Sequence, residues 1–117
     1  MFQAHCVSKA KFLNDDKIAY TTVYKKDMEQ FSAGDDCMEG LTEKLRAIVT
    51  TRVAFVAKEM KSGGTKISMR SKFADVAQIC EVFNGGGHKF AAGCTIKAPV
   101  EEAVKKILAE IKKVKQL

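Results

Sequence analysis

Apolar residues recur along this chain with two periods, and the switching between them marks out its elements. Ile18-Ala19-Tyr20-Thr21-Thr22-Val23-Tyr24 is a β-branched and aromatic stretch that suits a half-buried pleated strand. Val53-Ala54-Phe55-Val56-Ala57 is an unbroken apolar run, the pattern of a central strand covered on both faces. After the turn Ser62-Gly63-Gly64, Ile67 and Met69 alternate with Lys66, Ser68 and Arg70. This predicts a strand over 65–70 with Arg70 on the face opposite the apolar pair. A last short strand is predicted over 92–96.

Helical spacing separates these runs. Asp36-Cys37-Met38-Glu39 has the form of a capped helix start, followed by a buried stripe of Leu41, Leu45 and Ile48. Asp75, with Gln78 three residues on, opens a helix whose Val76, Ile79, Cys80 and Phe83 share one face, and Asn84-Gly85 stops it. Pro99 is placed at the first position of a terminal helix, with Glu101 and Glu102 at its positive end and a stripe of Val100, Ala103, Val104, Ile107, Leu108, Ile111 and Val114. Residues 7–13 are read as a short helix, 14–17 as a turn and 27–31 as one or two helical turns. The order is strand, helix, strand, strand, helix, strand, helix. It predicts one small α/β (α+β) domain, a mixed sheet of about four to five strands packed with helices. Residues 1–13 are set apart as an N-terminal remnant or linker helix, and residues 14–117 form the folded unit.

Composition narrows the function classes. With 117 residues, 46% hydrophobic and 29% charged, the chain is neither disordered nor collagen-like. No apolar run approaches the roughly 20 residues of a spanning helix, and the first residues lack a signal peptide's apolar stretch, so a soluble, cytoplasmic protein without membrane association is expected. Cys6, Cys37, Cys80 and Cys94 contain no CxxC pair, which favours reduced, buried thiols over a zinc or redox motif. A formal charge of +6 favours anionic partners without naming them.

One segment departs from ordinary folding economy. Three consecutive glycines in Asn84-Gly85-Gly86-Gly87-His88-Lys89 lose more conformational freedom than any other tripeptide. Asn84 and one glycine suffice for a helix C-cap. Three glycines followed at once by His88 and Lys89 point further, to a loop whose amides can line an anion-binding concavity beside a switchable donor and a fixed positive charge. Arg70-Ser71, at a strand end, offers a guanidinium fork and a hydroxyl to the same phosphate oxygens.

These residues, taken together, resemble a known family. Lys66-Ile67-Ser68-Met69-Arg70-Ser71-Lys72, Asp75-Val76 and Phe83-Asn84-Gly85-Gly86-Gly87-His88-Lys89-Phe90-Ala91-Ala92-Gly93-Cys94 are similar to the DHH-associated domain of the first type, the carboxy-terminal domain of DHH phosphoesterases. The nearest resemblance is to the oligoribonuclease/pAp-phosphatase (nanoRNase) branch, also called exopolyphosphatase-related. It implies phosphate- and substrate-binding roles for Arg70, Ser71, Gly85, Gly86, Gly87 and His88, with Lys89 as an addition. Asn84 replaces the family's commoner glycine, a change that a left-handed position tolerates.

The resemblance also implies what lies elsewhere. Two-metal phosphoester hydrolysis needs an Asp and His cluster, and the family's Asp-His-His motif does not occur in this sequence, whose histidines are His5 and His88. Asp15-Asp16 and Asp35-Asp36 are accounted for by turn and cap roles. The expectation is therefore a substrate-binding domain, excised or separately expressed, with no catalytic residue or metal ligand of its own and no hydrolytic activity alone. Its parent would hydrolyse short oligoribonucleotides or 3′,5′-bisphosphorylated nucleotides. Manganese would be held in an N-terminal DHH catalytic domain, and the parent would form a homodimer. The alternative is a general RNA- or tRNA-binding module, since related domains accompany alanyl-tRNA synthetases.

Overall fold

The computed structural model describes residues 2–15, 17–32, 40–48 and 51–114. Six strands form one mixed sheet: β1 (Lys11–Leu13), β2 (Ile18–Val23), β3 (Val53–Glu59), β4 (Thr65–Ser71), β5 (Gly86–His88) and β6 (Ala91–Ile96). Their spatial order is β1-β2-β3-β4-β6-β5. Among the described residues only β2 and β3 run parallel, and the crossover between them carries α2 (Lys25–Gln30) and α3 (Leu41–Arg46). The remaining helices are α1 (Phe2–Ser8), α4 (Val76–Glu81) and α5 (Val100–Ile111). Among the described residues, no helix is long and apolar enough to cross a membrane.

The period-2 pattern of β3 feeds two cores at once. Val53, Phe55 and Ala57 point to the layer of α4 and α5, where they meet Ile67, Met69, Val76, Ile79, Val100, Ala103, Ile107 and Ile111. Ala54 and Val56 point the other way, to Cys6, Leu41 and Leu45 of α1 and α3. Tyr20 stacks on Phe55 at 4.9 Å between ring centroids and 4° between planes, anchoring β2 to β3. This two-sided burial is what the unbroken apolar run 53–57 predicts. Cys6, Cys80 and Cys94 are buried.

Several expectations need correction. The sheet has six strands, because the two shortest, β1 and β5, have too few residues to show a period. Residues 7–13 are not one helix: α1 ends at Ser8, and Lys11, Phe12 and Leu13 pair antiparallel with β2. Pro99 stands one position earlier than expected, as the extended N-cap of α5 with ψ 159°. The proposed cap at Asp36 to Glu39, with Asp16, Asp35 and Cys37, lies outside the described residues. Asn14 and Asp15 do form a left-handed turn, with φ of 54° and 57°.

The N-terminal helix is held by a buried carboxylate that the sequence did not single out. Asp27, 4% exposed, accepts from His5 Nε2 at 2.9 Å, Lys9 Nζ at 2.7 Å and the Tyr24 amide at 2.8 Å. Burial opposes its ionisation, but the Lys9, Tyr24 and His5 bonds together outweigh that and hold its pKa at about 2, below the ordinary 3.8. The N-terminal helix is thereby tied to α2.

The glycine run is used to close the far edge of the sheet. Asn84 takes φ 63°, its amide bonds the Glu81 carbonyl at 3.1 Å and the Gly85 amide bonds Cys80 at 2.9 Å, a Schellman ending for α4. A Cβ on Gly85 would lie 2.3 Å from the Gly93 carbonyl oxygen and 2.5 Å from the Cys94 Cβ. One on Gly87, at φ 145°, would lie 2.6 Å from the Ala91 carbonyl oxygen. Gly86 is different, since a Cβ there meets nothing within 4 Å.

Two predictions follow from these contacts. Gly85→Ala and Gly87→Ala should each destabilise the domain by about 2 kcal/mol or more, whereas Gly86→Ala should be neutral or stabilising by up to about 1 kcal/mol in urea unfolding. Asp27→Asn should cost about 2 kcal/mol at pH 7. Because the folded-state pKa is depressed, the carboxylate's contribution is complete above about pH 4 and is lost as pH falls through about 2. The difference between wild type and variant, measured in urea across that range, should therefore shrink towards pH 2.

Candidate anion-binding face

Sheet register decides which of the candidate side chains share a surface. Arg70 on β4 pairs with Ala91 on β6, and Ala91 with His88 on β5. The neighbouring row is Ser68, Gly93 and Gly86. Paired residues in an antiparallel sheet project to the same side, so Arg70 and His88 stand on one face, the side of α3, with only Ala91 between them. At about 4.8 Å per strand, their Cα atoms are roughly 10 Å apart. That gap suits a phosphate group approached from both sides by a long side chain.

The floor between them is low because its residues are small. Ala91, Gly93 and Gly86 raise little above the backbone, and the space over Gly86 is open. The first turn of α3 forms one bank: Thr42 Oγ1 donates to Ser68 Oγ at 3.0 Å, and Glu43 Oε2 lies 4.0 Å from Arg70 Nε. Arg70 also donates from Nη1 to the Met69 carbonyl at 3.0 Å, which orients the guanidinium. Glu43 is held mainly by Arg46, and bonds from Arg46 keep its carboxyl below the usual range, with Arg70 adding to the effect. The His88 side chain is exposed and makes no hydrogen bond among the described residues. An anion on this floor would meet the guanidinium, the imidazole and the Ser68 hydroxyl.

The other sequence candidates lie elsewhere. Ser71 is 2% exposed on the opposite side of β4, and its hydroxyl donates to the Ala74 carbonyl. It shapes the turn into α4 and does not join Arg70. Lys89 occupies the β5–β6 hairpin tip, where its carbonyl accepts from the Val76 amide at 2.8 Å and its ammonium lies 5.4 Å from the Phe90 ring centre. Gly85 gives its amide to α4, and Gly86 and Gly87 belong to an edge strand and not to a free loop. Among the described residues, no group of three or more His, Cys, Asp or Glu side chains could hold a metal ion.

Sequence reasoning missed the contribution of Ser68 and Thr42, and with it the floor itself. Alternation along β4 placed Ser68 beside Arg70, but the partners across the sheet depend on β5, a strand with no period to read.

Known proteins share this fold. The DHHA1 domain family matches residues 15–116. The chain is similar to an exopolyphosphatase-related protein from Bacteroides fragilis, at 25% identity and a TM-score of 0.88 over 96% of this chain and 33% of that one. It is similar in fold to a pGpG-specific phosphodiesterase from Vibrio cholerae, at 13% identity and a TM-score of 0.63 over 96% of this chain and 37% of that one. A third likeness in fold is to the C-Ala domain of Aquifex aeolicus alanyl-tRNA synthetase, at 19% identity and a TM-score of 0.62 over 88% of this chain and 96% of that one. The chain thus spans about a third of the length of the first two. The match over residues 15–116 shows that the chain belongs to the DHHA1 domain family, found in DHH phosphoesterase-family proteins.

Proposed function

We infer that this domain holds the phosphate of a short oligoribonucleotide or a 3′,5′-bisphosphorylated nucleotide and presents it to the catalytic domain of a parent DHH phosphoesterase. The observation that carries this reading is the placement of Arg70 and His88 across a floor of Ala91, Gly93 and Gly86. Likeness to an exopolyphosphatase-related protein and a pGpG-specific phosphodiesterase supports a phosphate-bearing substrate. Manganese and the hydrolytic step belong, on this reading, to the parent's N-terminal DHH domain, and the parent works in the cytoplasm as a homodimer.

The domain's own task is positioning. Arg70 offers paired N–H groups to two phosphate oxygens, fixing both distance and orientation. His88 donates from the far side of the floor, so the phosphate is held between two strands and cannot rotate about a single contact. The small floor residues let the phosphate approach the backbone. Fixing the phosphate in this way removes rotational and translational freedom before reaction, the main contribution a non-catalytic domain can make to rate. Glu43 competes with the phosphate for Arg70, and ligand binding displaces that weak 4.0 Å contact.

A general RNA-binding module is the second reading, favoured by the match to nearly the whole C-Ala domain and by the charge of +6. The two differ in ligand length and salt response. Positioning of a single phosphate predicts saturable binding of 3′,5′-bisphosphorylated adenosine (pAp), with affinity nearly independent of RNA length beyond two nucleotides. Arg70→Ala should weaken pAp binding about 10- to 100-fold, and His88→Ala by a smaller factor, in calorimetric titration. Gly86→Val, which fills the open floor, should weaken binding without lowering the melting temperature. Affinity that grows with length, falls steeply with salt and ignores all three substitutions would instead establish the general module.

A further inference from the structure

The flank of α5 and the β1–β2 edge of the sheet enclose a groove that the phosphate reading does not use. Lys11 pairs with Tyr20 and Leu13 with Ile18, and residues paired in this way project to one side. Tyr20 and Ile18 belong to the core shared with α5, so Lys11 and Leu13 stand on that side too and extend the groove floor. Glu101, Lys105, Leu108 and Lys112 follow one another at helical spacing along α5 and its C-cap and form the wall. Two cavities of about 290 and 530 Å³ lie in this groove, and Leu108 lines both. These are volumes of a small-molecule site.

The two ends of the groove differ in chemistry. At one end Lys9, Lys11 and Lys105 gather beside Thr22 and Tyr24. Glu101, the acidic residue of that lining, accepts from Tyr24 Oη at 2.7 Å, and Lys9 Nζ donates to Asp27 at 2.7 Å. Lys11 and Lys105 make no hydrogen bond or ion pair among the described residues. The other end is lined by Leu13, Ile18, Leu108, Ile111 and Val114, with Asn14 and Lys112 as its polar members. Leu13 is 40% exposed there. Lys112 can lay its alkyl stem along such a surface and keep its ammonium in water.

A ligand that satisfies both ends carries a negative charge on an apolar body. An inorganic anion would leave the apolar end uncovered, and a neutral hydrocarbon would leave Lys11 and Lys105 unmatched. The wall from Glu101 to Lys112 is about 16 Å long at the helical rise of 1.5 Å per residue. Such a length, with the charges confined largely to one end, suits an extended alkyl chain better than a compact ring. The geometry points to this groove as a binding site for a long-chain carboxylate. Its head group sits between Lys11 and Lys105, and its chain lies along Leu108 towards Leu13, Ile18 and Ile111. The groove is on the α5 side of the sheet near the β1 edge, whereas Arg70 and His88 are on the α3 side towards the β5 edge. Neither site occupies the other's surface.

The test uses the 117-residue chain and displacement of a fluorescent fatty acid, dansylated undecanoate, by amphiphiles kept below their micelle-forming concentrations. Laurate should displace it saturably at micromolar concentration. Octanoate, with a shorter chain, should bind roughly 50-fold more weakly or worse, since each buried methylene is worth about fourfold. Dodecyltrimethylammonium, which reverses the charge of the head group, should not compete. Lys11→Glu and Lys105→Glu should each weaken laurate about 10-fold. Lys61→Glu, at an exposed turn outside the groove, should change it by less than about twofold. Arg70→Ala should bind laurate like the wild type, so failure of the phosphate reading leaves this test intact. Failure of laurate to displace the fluorophore would overturn the site, as would equal competition by dodecyltrimethylammonium or an equal loss in Lys61→Glu. Binding to phosphatidylglycerol vesicles without binding of monomeric laurate would also overturn it, by assigning the lysines to a membrane surface.

Discussion

The β5–β6 hairpin closes only because Gly85 and Gly87 carry no side chain. A Cβ at either position would sit inside the van der Waals envelope of the neighbouring strand's backbone. This approach fixes the register Gly86 to Gly93 and His88 to Ala91, and through β6 it reaches Arg70 on β4. The most unusual stretch of the sequence therefore acts on the site by setting strand pairing. Its cost in conformational entropy is offset by an edge strand that brings a histidine into line with an arginine far from it in sequence.

The remaining layers hold that strand pair still. β3 is buried on both faces, and the α4–α5 layer presses on the back of β4 and β6, where Ile67, Met69, Ala92 and Cys94 point into the core. The front of the same strands is left to small and polar residues, with α3 covering β3 and reaching β4 through Thr42 and Glu43. One face of β4 thus supplies packing and the other is left polar, an economy available only to a strand with strict alternation. At the other edge, Asp27 ties α1 to the body of the domain through His5 and Lys9.

Elements with a long, clean period were legible in the sequence. The strands over 18–23, 53–59, 65–71 and 91–96 and the helices at 76–81 and 100–111 follow from alternation or from stripes at helical spacing. The three-residue strands β1 and β5 were not, because three residues carry no usable period and their pairing is a tertiary fact. The site was legible as a list of residue types and not as an arrangement. Arg70 and His88 share one face of the sheet, but Ser71 falls on the buried side because the strand continues through it, which reverses its direction relative to Arg70. The Asp27 cluster was invisible for a related reason: its partners His5, in α1, and Lys9, just after that helix, are placed only by packing.

The central claim is that one phosphate sits between Arg70 and His88 on the floor of β4, β6 and β5. The most direct measurement is a two-dimensional 1H–15N NMR titration of the domain with pAp. The account predicts saturable shifts concentrated at residues 68–70, 86–88 and 91–93. Shifts confined to the lysine-bearing surface of α5, or spread evenly over the basic surface, would contradict it.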